Sequence, residues 1–189
     1  MDALAAEAFL NATHRVYGRL LRPMSLGHAF TLEAIGSPFY YGNTGNAKEL
    51  QLAAWICSRP PLAVPTMTGL QSIIWRMALP FFDYEKELNA WCVYAVDHVS
   101  GPQFWNKPAR PGESAEPSRI PPAVSTAVRL MRLGMTEQQA WATPVGVASW
   151  YEAASYEAEA GVRLDIVTDA ERLAIIRAKS KKAAKEQNV

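Results

Sequence analysis

Between Ala47 and Ser58 the apolar residues Leu50, Ala53, Ala54 and Cys57 recur at i, i+3, i+4 and i+7. That is the spacing of a helix with one buried stripe. Leu70, Ile73, Ile74 and Met77 repeat it in a helix that starts at Thr66 and closes at Pro80. A third helix, capped by Asp83 and ended by Gly101-Pro102, is expected to turn Leu88, Trp91, Cys92, Ala95 and Val99 inward. Upstream, residues 2–18 read as a helix through Leu4, Ala8, Phe9, Ala12 and Val16, followed by a basic, extended passage to Pro23. Ser25 can cap a short helix carrying Leu26, Ala29, Phe30 and Leu32, with Gly36 and Pro38 after it. Tyr40 to Asn46 is a turn-rich loop.

The texture changes between Gly101 and Pro122, where six of the thirteen prolines lie. Proline removes donors and fixes φ, so no regular element fits there. Phe104 and Trp105 sit inside this stretch and are expected to dock on the core or on a partner. Beyond it, Val124, Ala127, Val128 and Met131 mark a helix ended by Gly134. Thr136 and Gln139 form a capping-box pattern, and Pro144 opens a helix with Val147, Tyr151, Ala154 and Ala158 on one side and Gly161 at its end. Residues 163–167 alternate weakly enough to be a short strand or a loop, and some strand evidence lies near 15–22. Thr168 and Glu171 start a last helix.

The expected fold is mainly α: an irregular helical bundle with short loops and at most a minor β element near 163–167. Residues 1–100 form an N-terminal helical region and 101–122 a proline-rich linker or surface loop. Residues 123–176 form a C-terminal helical region packed on the first, and 177–189 a basic tail.

Composition narrows the function classes. With 189 residues and 49% hydrophobic content the chain can bury a sizeable core, and 20% charged residues argue against wholesale disorder. A net charge of +1 gives no global field for a polyanion. The tail is the exception. Arg177, Lys179, Lys181, Lys182 and Lys185 face only Glu186, a net +4 that leaves −3 for the rest. Such a tail is either a frayed, solvated end or an anion-binding segment, and it lacks aromatics for stacking on bases. Cys57 and Cys92 stand outside any C-x-x-C pair and are expected to be two buried, reduced thiols. The start Met-Asp-Ala-Leu-Ala-Ala-Glu lacks a basic leader, and no apolar run is long enough to span a bilayer. A cytoplasmic protein is expected.

The chain offers no catalytic signature. None of His14, His28 and His98 has a second ligand at metal spacing. Cys92 and His98 are six residues apart and point differently on one helix. The glycines of Gly42-Asn-Thr-Gly45 are too close for a phosphate loop. Glu85/Glu87 and Glu152/Glu157/Glu159 read as solvated helix faces. No catalytic residue, metal or cofactor is expected. Trp141, Trp150, Tyr151 and Tyr156 cluster within sixteen residues, either as core rings packed among alanines or as a protein-binding surface.

Two stretches carry a resemblance. One is Gly18-Arg-Leu-Leu-Arg22-Pro-Met-Ser25-Leu-Gly-His28-Ala with Gly36-Ser-Pro38-Phe39. The other runs from Thr136-Glu-Gln-Gln-Ala140-Trp141-Ala-Thr-Pro144 through Trp150-Tyr151-Glu-Ala-Ala to Gly161. Together they cover about 50 of the 189 residues and resemble small helical tail-module proteins of tailed bacteriophages, the second stretch resembling tail assembly chaperones. The resemblance implies a non-enzymatic factor in the host cytoplasm that binds a helical tape-measure protein or tail subunit and can self-associate. Phe104, Trp105, Trp141, Trp150 and Tyr151 are the partner-binding candidates, and Arg177, Lys179, Lys181, Lys182 and Lys185 the anion-binding ones. The alternatives are a structural virion protein, such as a connector or minor tail protein, and a nucleic-acid-associated factor using the tail.

Overall fold

The computed structural model describes residues 13–40, 42–63, 73, 77, 79–99, 101–102, 120–161, 167 and 171. The architecture is mainly helical with one two-stranded sheet. Strands β1 (Arg15–Val16) and β2 (Arg19–Leu20) pair antiparallel, with Val16 opposite Arg19. Six α-helices follow among the described residues: α1 (Leu26–Ala34), α2 (Ala47–Cys57), α3 (Tyr84–Val99), α4 (Pro122–Arg132), α5 (Glu137–Ala142) and α6 (Val145–Ala160).

The hairpin replaces the helix expected over 13–18. Tyr17 and Gly18 both take positive φ, 49° and 70°, as a two-residue turn between right-twisted strands requires. Gly18 adopts that conformation freely. Tyr17 is held in it by burial, by a Glu87 carboxylate accepting its N–H at 2.5 Å, and by its hydroxyl donating to the Ala47 carbonyl. Burial, then the charge of Glu87, then Tyr84 push the Tyr17 phenol up to about 12, so it stays neutral.

Helix starts follow local chemistry. Ser25, Asn46 and Thr136 each close a capping box, with His28, Glu49 and Gln139 as reciprocal partners. Asp83 Oδ1 accepts from the N–H of Glu85 at the start of α3. α6 begins after Pro144, which has no side-chain cap. Its first N–H, that of Val145, donates instead to the Met24 carbonyl at 2.9 Å, while the Leu26 N–H donates to the Thr143 carbonyl at 3.0 Å. Two helix N-termini thus satisfy each other's orphan donors, which ties α1 to α6 side by side.

Two cores meet across this tie. Val16, Leu21, Leu32, Leu50, Trp55, Ile56, Trp91 and Tyr94 fill the first, between the hairpin, α1, α2 and α3. The second joins α1, α4, α5 and α6 through Leu26, Ala29, Ala123, Ala127, Leu130, Ala140 and Ala148. Its alanines let the helices approach closely. Gly27 belongs to the same close packing: a Cβ there would lie 2.7 Å from Pro61 Cβ and 3.2 Å from the Leu62 backbone nitrogen.

The α2 stripe lies where its spacing places it, with Leu50, Ala53, Ala54 and Cys57 fully buried. Three other faces are rotated. In α3 the buried residues are Trp91, Tyr94 and His98, whereas Cys92 is exposed and Val99 is 44% exposed. Burying an aromatic ring removes about 150–250 Å² from water. At about 25 cal/mol/Å² that outweighs anything Cys92, Ala95 and Val99 can contribute. In α4 Ala123, Ala127 and Leu130 are buried and Val128 faces out. In α6 Ala148 and Ala153 are buried with Val147, while Tyr151, Ala154 and Ala158 are exposed, because the close tie to α1 favours small residues. Ile73 and Met77, expected in a buried stripe, are 56% and 69% exposed. The rest of that helix, residues 2–12, the strand at 163–167 apart from Val167, and the final capping box apart from Glu171 lie outside the described residues.

Candidate functional site: an apolar groove and a histidine cluster

A groove of about 810 Å³ opens where the two cores meet. Met24, Leu26, Ala29, Phe39 and Tyr40 line it together with Ala95, Val96 and Val99 of α3. Pro122, Ala123 and Thr126 of α4, Val145 and Ser149 of α6, and Gly42 line it as well. Gly101 and Pro102 carry the chain along the edge, where a Cβ on Gly101 would lie 2.7 Å from Ser149 Cβ. Only that glycine lets the chain leave α3 so close to α6. Among the described residues the lining side chains are apolar apart from Tyr40, Thr126 and Ser149, and the Ser149 hydroxyl already donates to the Val145 carbonyl.

The apolar surface continues past the concavity. Val96 and Val99 are 60% and 44% exposed, and Val93, one turn earlier on α3, is 54% exposed. Residues at i, i+3 and i+6 run about 9 Å along a helix.

Of the predicted aromatic candidates, the described ones, Trp141, Trp150 and Tyr151, do not line this groove. Trp141 is half-buried against Phe30, with ring centroids 5.6 Å apart, and borders a smaller recess with Pro60, Pro61, Leu62 and Glu137. Trp150 is half-buried; its indole N–H is buried with no hydrogen-bond partner among the described residues. Tyr151 is 39% exposed. Phe104, Trp105, Arg177, Lys179, Lys181, Lys182 and Lys185 lie outside the described residues. The groove residues escaped sequence reasoning because Val96 and Val99 sit on a face whose spacing also reads as core.

A second constellation forms at the C-terminal half of α3. His14, just before β1, places Nε2 2.9 Å from Asp97 Oδ2, although the carboxylate lies off the line of a hydrogen bond. The His14 ring meets His98 at 5.4 Å and Tyr94 at 5.6 Å, both edge-on. Tyr94 donates its hydroxyl to the Arg22 carbonyl at 2.8 Å and hydrogen-bonds the Cys57 thiol. Burial pushes that thiol up to about 12, far from a reactive thiolate. Here imidazole meets carboxylate, a pairing the sequence hid because 14 and 97 are remote. Neither cavity described above is lined by His14, Asp97 or His98. Among the described residues no group of three or more His, Cys, Asp or Glu is arranged to hold a metal ion, and no helix is long and apolar enough to cross a membrane.

His28 is a structural histidine. Its Nε2–H donates to the Arg59 carbonyl at 2.8 Å, while Nδ1 accepts from the Ser25 N–H, which fixes the neutral tautomer. Desolvation lowers its pKa below 6.5 despite the bond to Arg59, and desolvation, then His14, lower that of His98. Both are depressed bases, so the unfolded chain takes up protons first as pH falls. Their contribution to stability is complete above about pH 6.5 and declines as pH drops toward the folded-state values, with a limiting slope of about 1.4 kcal/mol per pH unit per histidine. Urea midpoints should therefore fall between pH 7 and pH 5, before most carboxylates titrate. A midpoint flat over that range contradicts neutral buried imidazoles.

No protein-family model matches the chain, and no curated protein or solved structure matches it either.

Proposed function

We propose that this chain is a non-enzymatic assembly factor that receives an apolar helical segment of a protein partner in the groove between α1, α3, α4 and α6. The carrying observation is the apolar lining, continued by exposed Val93, Val96 and Val99. Amphipathic helices bind such grooves through anchors at i, i+3, i+4 and i+7. A compact small molecule would leave the α3 stripe uncovered.

The kind of partner follows from the resemblance of the 18–39 and 136–161 stretches to tail-module proteins. In that reading the chain acts in the host cytoplasm as a tail assembly chaperone, and the helix it binds belongs to the tape-measure protein. A helical fragment of a tape-measure protein is expected to copurify with the full chain, and the chain is expected to be absent from finished particles by peptide mass spectrometry. Presence in the particles at stoichiometric level supports a structural virion protein instead. Failure to retain any helical fragment contradicts both readings.

A further inference from the structure

The hairpin meets α3 at two places. At its turn, the Tyr17 N–H donates to the Glu87 carboxylate. At its open end the Leu21 N–H donates to the His14 carbonyl at 2.9 Å, and here the chain lies against the C-terminal half of α3. His14 Nε2 is buried 2.9 Å from Asp97 Oδ2, and the His14 ring stands edge-on to His98 at 5.4 Å. Tyr94 closes the cluster, with its ring 5.6 Å from His14 and 5.0 Å from His98 and its hydroxyl donating to the Arg22 carbonyl. The two chain ends of the hairpin, His14 and Arg22, are therefore held by one turn of α3.

Two imidazoles here share one carboxylate. His98 is buried, 4% exposed, while Asp97 keeps 35% of its side chain in water. Among the described residues no other charge is placed to balance His98. Arg15, next to His14 in β1, is exposed and turns its guanidinium back to the Gly18 carbonyl. Glu87 lies about 15 Å before Asp97 along the helix. α2 contributes the Cys57 thiol beside Tyr94, and burial keeps both of those groups neutral. α6 has no charged residue before Glu152, which pairs with Arg129. In keeping with this, desolvation, then His14, hold His98 below its ordinary range, and Asp97 offsets them only in part.

We propose that His14, Asp97 and His98 form an acid-sensitive latch between the hairpin and α3, which holds one added proton while closed and opens on the second. The first proton makes an imidazolium that Asp97 neutralises. The second sets two cations 5.4 Å apart, one of them buried, against a single carboxylate. Opening returns both rings to water, where histidine charges near pH 6.5. The open state therefore binds the extra proton first. The latch is fully effective above about pH 6.5 and weakens as pH falls below it, by up to about tenfold per pH unit for each extra proton bound. It belongs to the free chain and needs nothing bound in the groove, although Val96 and Val99 of the groove flank Asp97 and His98.

The test is amide exchange of the full chain at pH 7, 6 and 5, read as protection factors so that the intrinsic pH dependence of exchange drops out. The Leu21 amide, bonded to the His14 carbonyl, reports the hairpin, and the amides of Ala127 and Leu130 report the second core. Leu21 is expected to be less protected than the α4 amides at each pH, as local opening requires, and to lose about tenfold between pH 7 and pH 5. Asp97→Asn removes the shared carboxylate and should enlarge the loss. His14→Gln removes the competing cation and should shrink it. A purely structural contact would not answer its two neighbours in opposite directions. His98→Phe keeps a ring in place and His98→Gln keeps a polar side chain; the loss is expected to disappear in both, and either one serves if circular dichroism shows the other unfolded. Leu21 protection that is flat with pH, that equals the α4 value, that still falls in every folded His98 variant, or that shifts the same way in Asp97→Asn and His14→Gln overturns the latch.

Discussion

Tyr94→Ala is expected to lower unfolding free energy by about 3–5 kcal/mol, the usual range for deleting a fully buried aromatic side chain. Tyr94 has no solvent exposure and packs on Trp91, His98 and His14 at centroid distances of 5.2, 5.0 and 5.6 Å. Its hydroxyl also satisfies the Arg22 carbonyl and the Cys57 thiol. Domains are typically stable by about 5–15 kcal/mol, so this variant should sit near its unfolding midpoint in mild urea. Tyr94→Phe keeps the ring and removes the hydroxyl, and should cost only about 1–2 kcal/mol. Urea unfolding checks both. Equal costs would mean that the hydroxyl, not the packing, holds the hairpin to α3.

The second large effect concerns binding. Val96→Asp with Val99→Asp is expected to weaken the groove's hold on a helical partner by about a hundredfold, since a charge against an apolar anchor must be desolvated without a partner. Folding should change little, because both side chains are largely exposed in the free protein. Titration calorimetry with the helical fragment reads the first, and thermal melting the second. Unchanged affinity would remove α3 from the binding surface.

How far the sequence could be read depended on what competed at each position. Caps were legible because they are local: Ser25, Asp83 and Thr136 need only partners two or three residues away. The α2 stripe was legible because Leu50, Ala53, Ala54 and Cys57 lie on the face their spacing marks and all have 0% exposure, with Trp55 and Ile56 beside them buried as well. α3 was not, because Trp91, Tyr94 and His98 also recur at helical spacing and only the tertiary contacts with Trp55, Phe39 and His14 decide between the faces. α6 failed for a related reason: alanines on both sides made its periodicity ambiguous, and the pairing of Leu26 with Thr143 and of Val145 with Met24 chose the side. The groove could not be read at all. It exists because Gly101 allows α3 to end against α6, a non-local fact. The His14–Asp97 contact spans the same kind of distance in sequence.

Hydrogen exchange of the full chain, alone and with a helical tape-measure fragment, reads out where on the fold such a helix would sit. Added protection is expected to concentrate at Ala95–Val99, Ala123–Thr126 and Val145–Ser149. Protection confined to other surfaces, or none at saturating fragment, contradicts binding in the groove.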